Sequence, residues 1–168
     1  SFTVVRHPLA RAHAVFCHRI LSTGPEGFAR IRDILRKRFS IGIPKGEPGA
    51  DYTIEAHRAA FSEFLDFLRA NLAGQTSVRV DGAFGSQAEI INGFSTFMLP
   101  DLILREDEIA SQLPKLAARV GHPAPLPVGR TVPDRPYELA EIYDSELETQ
   151  CRSVYRKDYA MFGFRNWG

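Results

Sequence analysis

The sequence has few cysteines and no apolar run long enough to span a membrane. It holds only two cysteines in 168 residues. Cys17 and Cys151 fit neither a metal-ligand spacing nor a disulfide framework, which predicts two free, buried thiols. No apolar run approaches the roughly 20 residues that a membrane-spanning helix needs, and no basic-then-apolar leader opens the chain. We therefore expect a soluble, cytoplasmic protein without a bound metal.

An excess of charge of one sign is also lacking. The chain has 21 basic and 20 acidic residues, for a formal net charge of +1. No overall field therefore favours nucleic acid or an anionic membrane as a partner, and any anion site must be local. A hydrophobic content of 44% can support a core. We expect a single domain over residues 1–168, of undetermined oligomeric state.

The most informative segment is the first part of the chain. Phe2–Val5 has the composition of a strand and runs directly into Arg6, His7 and Pro8, after which a helical pattern begins. A buried strand would deliver Arg6 to the carboxyl edge of a sheet, and Pro8 suits the first turn of a helix, where free N–H groups attract an anion. The planar fork of arginine matches phosphate oxygens. The segment predicts a phosphate site; the alternative is an ordinary strand-to-helix turn with Arg6 in a surface ion pair.

The rest of the pattern predicts a helix-rich chain with two more strands. The strands are expected at Val78–Asp81 and within 99–106. The expected helices are a basic one over 28–38, one from Asp51 or Thr53 to Leu72, one capped by Ser86, one over 109–120 that Pro114 kinks or divides, and one or two over 137–155. In the fourth of these, Ile109, Leu113, Leu116 and Val120 should form a buried stripe.

Two loops carry residues of possible interest for binding. Residues 42–50 are rich in glycine and proline, but Lys45 precedes Gly46 and no Ser or Thr follows, so the loop does not match a phosphate-binding P-loop. Residues 122–136 hold five prolines and little periodicity. Long irregular loops are often functional, and Arg130 is the best ligand in this one; a plain surface arginine is the alternative.

Two segments, one around Arg6 and one at 155–164, resemble the sulfotransferase family, particularly its carbohydrate-type and bacterial members. The run Val5-Arg6-His7-Pro8, followed by Arg11 and Phe16, is similar to the segment that binds the 3′-phosphate of the cofactor. The close of the chain, 155–164, is similar to a Tyr-x-x-Asp-x-x-x-Phe-Gly-Tyr ending. The resemblance therefore spans the chain in order.

A third similarity involves the acceptor site of the same family, where many members carry an Asp-x-His-Trp-x-Pro-Gln run. Asp81, Phe84 and Gln87 line up with its Asp, Trp and Gln, whereas Ala83 and Ser86 replace its His and Pro. The alternative is structural, with Asp81 capping a turn and Gln87 pointing to solvent.

The resemblance implies a P-loop-NTPase-like, three-layer α/β fold with a short parallel sheet. It implies transfer of a sulfuryl group from 3′-phosphoadenosine 5′-phosphosulfate (PAPS) to a hydroxyl or amine, possible acceptors including carbohydrates, without a metal. Asp81 would be the general base and Phe84 and Gln87 would bind the acceptor. The site residues for the cofactor would be Arg6, His13 and Arg130. The family's first strand and phosphosulfate loop are expected upstream of Ser1.

One departure within the motif bears on cofactor binding. Ala14 lies eight residues after Arg6, where the family usually has a serine that joins the arginine on the 3′-phosphate. Losing a charge-assisted hydrogen bond costs on the order of 1.5–3 kcal/mol. His13 would compensate poorly, since adjacent helical positions point about 100° apart. Two alternatives to an active enzyme follow: an inactive sulfotransferase-like module that binds a nucleotide or anion, and a helical protein-interaction domain.

Overall fold

Two short parallel strands lie among helices that make up most of the chain. The computed structural model describes residues 1–95, 97–122 and 135–168. Strand β1, Phe2–Val5, pairs with strand β2, Leu102–Arg105, so that Phe2 faces Leu102 and Val5 faces Arg105. The expected helix-rich chain with a short parallel sheet is confirmed at this level. Parallel strands require a long crossover, which here contains four of the helices.

Seven of the described helices lie close to their predicted positions, whereas the last, Arg156–Phe162, was not predicted. In the described residues they are α1 Pro8–Val15, α2 Ala29–Arg38, α3 Ile54–Leu72, α4 Gln87–Phe94, α5 Ile109–Arg119, α6 Leu139–Ile142, α7 Ser145–Val154 and α8 Arg156–Phe162. A π-helical turn, Phe16–Leu21, continues α1, and a 3₁₀ turn, Glu106–Glu108, joins β2 to α5. Thr53 and Ser86 cap α3 and α4 through their hydroxyls, as expected from the sequence.

The core is built around α3, which packs against α6 and α7. Its apolar stripe, Phe61, Phe64, Leu65 and Leu68, is fully buried together with Phe16 of the π-helical turn and Leu9 of α1. Burying each such side chain contributes about 1.5–3 kcal/mol. Both cysteines are free and buried, which confirms the expectation for them.

Two expectations about elements were wrong, and of the two effects expected of Pro114, the division of the helix is excluded. Val78–Asp81 is irregular rather than a strand, because the Asn71 amide donates to the Val78 carbonyl (2.6 Å) and no neighbouring strand pairs with it in the described part of the chain. Pro114 does not divide α5, which continues through it at the loss of one backbone donor. The stripe of α5 is half-buried at best, and Val120 is 73% exposed.

Strand β1 also departs from expectation in its burial. Only Val5 is buried, whereas Phe2 is 49% exposed. Within the described residues β1 pairs with β2 alone, so the strand has one neighbour instead of the two it would have inside a wider sheet. No described helix is long and apolar enough to cross a membrane.

The basic helix α2 fixes the loop that follows it. The Arg32 guanidinium is buried and donates to the carbonyls of Pro44 (2.6 Å), Lys45 (3.0 Å) and Gly46 (2.6 Å). The loop therefore turns its carbonyl oxygens, rather than N–H groups, toward this point, and a P-loop needs the opposite polarity. Arg36 adds a bond from Nε to the Ile43 carbonyl (3.0 Å).

Candidate functional site

The junction between β1 and α1 has the arrangement that the sequence predicts. Arg6 follows the last residue of β1, and Pro8 occupies the first turn of α1. His7 caps the helix, and its Nδ1 accepts from the Leu9 N–H (3.3 Å). Because this donor is already used and Leu9 is fully buried, an anion here would meet the Arg6 side chain rather than the Leu9 amide.

The Arg6 side chain forms an ion pair with Glu106. Its Nε lies 2.7 Å from Glu106 Oε2, at the point where the carboxyl ends of the two parallel strands meet. The Arg6 side chain is 27% exposed and that of Glu106 is 49% exposed, so solvent reaches the pair. Such pairs are weak, and a phosphate would compete with Glu106 for the same guanidinium.

Gln87 holds the backbone of Arg6. Its Oε1 accepts from the Arg6 N–H (2.9 Å), and its Nε2 donates to the Arg6 carbonyl (2.8 Å). The side chain is buried, so it does not point to solvent as one interpretation of the sequence had it. Both ends of the amide are used by the chain itself, which makes Gln87 a positioning residue for Arg6 in this conformation rather than a contact for an acceptor.

The segment around Asp81 is a turn fixed from several sides. Asp81 Oδ1 accepts from the Ala83 N–H (2.8 Å), as in the structural interpretation of this residue. Phe84 is fully buried, and its carbonyl accepts from the Tyr155 hydroxyl (2.8 Å), so its ring offers no surface to an acceptor. Arg11 donates to the carbonyls of Gly82 (2.7 Å) and Gly85 (2.6 Å) and thereby ties α1 to the turn.

A cavity of about 820 Å³ lies along α1 and the π-helical turn. Ala14, His18 and Arg135 are among the residues that line it. The Arg135 side chain is only 10% exposed, and its Nη1 lies 3.4 Å from Glu138. Among the described residues, neither His18 Nε2 nor Arg135 Nε has a hydrogen-bond partner, although both atoms are buried. Two partly buried basic side chains thus bring to the cavity region a buried nitrogen atom each that has no partner among the described residues.

Charged side chains of both signs surround the cavity. Burial lowers the pKa of His18, and the charges of Arg135, Arg6 and Arg19 lower it further. These cations are therefore near enough to His18 to act on it, even though Arg6 itself does not line the cavity. Two carboxylates line the same cavity: Glu26, which pairs with Arg19 (2.6 Å), and Glu47, which accepts from the Thr23 hydroxyl (2.6 Å).

Of the other residues predicted to bind the cofactor, His13 lies outside the lining of the cavity. His13 is fully buried, with its Nε2 2.9 Å from His57 Nε2, and it does not line the cavity. Burial, followed by the neighbouring His57, lowers the pKa of His13 to about 3, so it brings no charge to a phosphate at neutral pH. Arg130 lies outside the described residues.

The sequence analysis did not predict His18 and Arg135 as residues of the candidate site. His18 lies one turn after Ala14 and so on the same helical face, a relation that the spacing alone could have shown. Arg135 belongs to the proline-rich segment 122–136, for which Arg130 was the predicted ligand. Comparisons with protein-family models, with curated proteins and with solved structures give no match to this chain.

Proposed function

We propose that the chain is a PAPS-dependent sulfotransferase domain with a P-loop-NTPase-like, three-layer fold. The observation that carries this proposal is the placement of Arg6. It lies at the carboxyl end of a parallel strand, its backbone is held by Gln87, and a cavity that Arg135 helps to line adjoins the helix that follows. Ligands of open parallel sheets bind at this edge, and the surrounding sequence resembles the family's 3′-phosphate segment.

In this proposal the 3′-phosphate binds Arg6 and displaces the exposed Glu106 carboxylate. His18 Nε2 and Arg135 Nε, which have no hydrogen-bond partner among the described residues, supply further contacts to the nucleotide. A volume of about 820 Å³ is within the range that small-molecule sites have. Bidentate arginine contacts to phosphate are strong and directional, which fits the planar Arg6 guanidinium.

The chemical step transfers the sulfuryl group to an acceptor hydroxyl or amine. A new bond forms between the acceptor atom and sulfur, the bond from sulfur to the phosphate oxygen breaks, and 3′-phosphoadenosine 5′-phosphate (PAP) leaves. The acceptor proton passes to a base, for which Asp81 is the candidate. Since the turn uses Oδ1 of Asp81, Oδ2 would take the proton. Cationic groups stabilise the charge that grows on the leaving phosphate.

A binding module without transferase activity is the second candidate. The burial of Phe84 and the use of Asp81 Oδ1 in a turn favour it, because both residues align with the family's acceptor run. Ala14 also favours the module, because the family usually has a serine at this position. The two candidates share the nucleotide site and differ in whether a sulfuryl group is transferred.

Calorimetric titration with PAP tests the shared site. We expect one nucleotide per chain, at least tenfold weaker binding in Arg6→Ala, and tighter binding in Glu106→Gln, which removes the competing carboxylate but keeps the shape of the side chain. Arg119→Ala, at the exposed end of α5, is the matched control and should bind like the wild type. Equal affinity in Arg6→Ala and the wild type would reject the site.

Transfer of radiolabelled sulfate from PAPS to a panel of sugar, phenol and amine acceptors separates the two candidates. Labelled product that is lost in Asp81→Asn supports the enzyme with Asp81 as base. Nucleotide binding without any labelled product supports the module.

A further inference from the structure

Three potential metal ligands meet in the core, on the side of α1 that faces α3. His13 and Cys17 lie four residues apart on consecutive turns, and His57 comes from the first turn of α3. The two Nε2 atoms are 2.9 Å apart, and Cys17 Sγ lies 3.6 Å from His13 Nε2. One ligand atom from each residue lies within 4.8 Å of the others. In the proposed function none of these three residues contacts PAPS or the acceptor, although Cys17 lines the cavity proposed for the nucleotide.

The cluster consists of polar side chains that are surrounded by the apolar core. All three residues are buried, and the rings of Phe16 and Phe61 pack against the histidines. Within the described residues, Nδ1 of each histidine has no hydrogen-bond partner. The two Nε2 atoms hydrogen-bond each other, and each Nδ1 is thus available to carry the ring proton when Nε2 is a ligand.

Tyr52 adds a fourth polar group to the cluster. Its ring packs edge-to-face against the His57 ring, with 5.6 Å between the centroids. The residue is 8% exposed, and its hydroxyl has no hydrogen-bond partner among the described residues. Burial raises the pKa of Tyr52, and the nearby Cys17 raises it further, which places the thiol and the phenol in the same environment.

We propose that His13, Cys17 and His57 bind one zinc ion. Zinc takes histidine nitrogen at about 2.0–2.1 Å and cysteine sulfur at about 2.3 Å in tetrahedral geometry, which puts neighbouring ligand atoms about 3.3–3.6 Å apart. The S···N separation of 3.6 Å already has this value, and the N···N separation of 2.9 Å must open slightly. Nitrogen and thiolate donors suit zinc rather than magnesium or calcium, which prefer oxygen.

The protonation states of the ligands decide what binding releases. Burial lowers the pKa of His13 to about 3 and that of His57 to about 4, so both imidazoles are neutral at pH 7 and present lone pairs without losing a proton. Burial raises the pKa of the Cys17 thiol to about 12. Binding therefore forms two Zn–N bonds and one Zn–S bond and releases one proton, that of Cys17. The proton that the two Nε2 atoms share in their hydrogen bond moves to Nδ1 of its own ring, so each histidine ends with a single proton on Nδ1.

Access and the fourth ligand come from the cavity. Cys17 is buried, yet it also lines the cavity of about 820 Å³. An ion can therefore enter beside Cys17, and a water molecule from the cavity can complete the tetrahedron. A zinc ion with three protein ligands and one exchangeable position is typical of catalytic sites, whereas structural sites have four protein ligands.

The experiment uses the full chain, stripped of metal with a chelator and titrated with Zn²⁺ and then with Co²⁺. We expect one equivalent of zinc, release of about one proton in calorimetry across buffers of different ionisation enthalpy, and a thiolate-to-cobalt charge-transfer band. Cys17→Ser should lose the band, and His57→Gln should weaken zinc binding at least tenfold. Absence of stoichiometric binding by the wild-type chain would overturn the proposal without any variant being needed.

Matched controls use the same residue types elsewhere. Cys151→Ser removes the other buried thiol and should keep the charge-transfer band, and His122→Ala removes a histidine outside the cluster and should keep the zinc affinity. A band that persists in Cys17→Ser or disappears in Cys151→Ser would contradict the assignment. Arg6→Ala should bind zinc normally, so failure of the nucleotide site and failure of the metal site are distinguishable.

Discussion

At the scale of single residues, Arg6 is compatible with both interpretations of its segment, as a phosphate ligand and as a partner in an ion pair. The strand-to-helix turn favoured either a phosphate ligand or an ion pair, and the structure contains the ion pair with Glu106. The pair is partly open to solvent, and Gln87 clamps the Arg6 backbone, so the side chain keeps its place whichever anion it meets. A carboxylate that can be displaced is compatible with a binding site that is closed by its own chain in the absence of ligand.

Ala14 is the residue at which a single change should strengthen binding. It is half-buried and lines the cavity next to His18, where a serine hydroxyl would have room. We expect Ala14→Ser to increase the affinity for PAP by roughly 10- to 100-fold, because a hydrogen bond to a charged group contributes about 1.5–3 kcal/mol. Calorimetric titration measures the change.

Ala10→Ser provides the control for this experiment. Ala10 is on the same helix, one turn earlier, and does not line the cavity. Its substitution should leave the affinity unchanged. An Ala14→Ser variant that binds PAP no better than the wild type would argue against a phosphate beside α1.

At the scale of elements, α4 is held in place from its N-terminal end by a residue far along the chain. Asp158 of α8 is fully buried and accepts from the Gln87 N–H (3.0 Å), the Ala88 N–H (2.9 Å) and the Ser86 hydroxyl. These backbone N–H groups belong to the first turn of α4 and have no partner within the helix. The carboxylate thus joins α8 to the helix that carries Gln87.

Removing this carboxylate should destabilise the whole chain. Asp158→Ala leaves three donors buried without an acceptor, so we expect the free energy of unfolding to fall by about 3 kcal/mol or more. Urea-induced unfolding followed by circular dichroism measures it. Asp51→Ala, at an exposed position before α3, is the matched control and should change the stability by less than about 0.5 kcal/mol. Similar stabilities for the two variants would show that Asp158 is not the anchor of α4.

Elements were predictable where local patterns decide them. The cap at Thr53, the apolar stripe of α3 and the glycine at position 74, which has a φ of +72°, all follow from neighbours in the sequence. Val78–Asp81 has the residue types of a strand, but a strand needs a partner, and pairing is a property of the fold. The side chain of Asn71 takes part of the role that a partner strand would have.

At the scale of the whole molecule, the sequence predicted where single elements lie better than how they pack together. Arg6 lies where it was expected, whereas Phe84 and His13 turned out to be buried. Burial depends on which elements pack together, and α1 packs with the π-helical turn and α7 in a way that no local pattern specifies. For the same reason the sequence did not predict that His13, Cys17 and His57 lie together, since Cys17 and His57 are 40 positions apart.

The stability of the molecule should depend on pH through the buried histidines. Burial lowers the pKa of His13 to about 3 and of His57 to about 4, against an ordinary value of 6.5. Above pH 6.5 both residues are neutral whether the chain is folded or not. As the pH falls below 6.5, the unfolded chain binds protons that the folded chain does not, so stability is lost between pH 6.5 and about 4.

Urea unfolding in the presence of a chelator, between pH 7.5 and pH 5, measures this loss while most carboxylates stay ionised. Each histidine should contribute about 2 kcal/mol by pH 5, at 1.36 kcal/mol per pKa unit. His57→Gln should flatten the dependence by removing one of the two groups, whereas the exposed His122→Ala should not change it. A free energy of unfolding that stays constant over this range would mean that the buried pair accepts protons without unfolding, which its packing between Phe16 and Phe61 opposes.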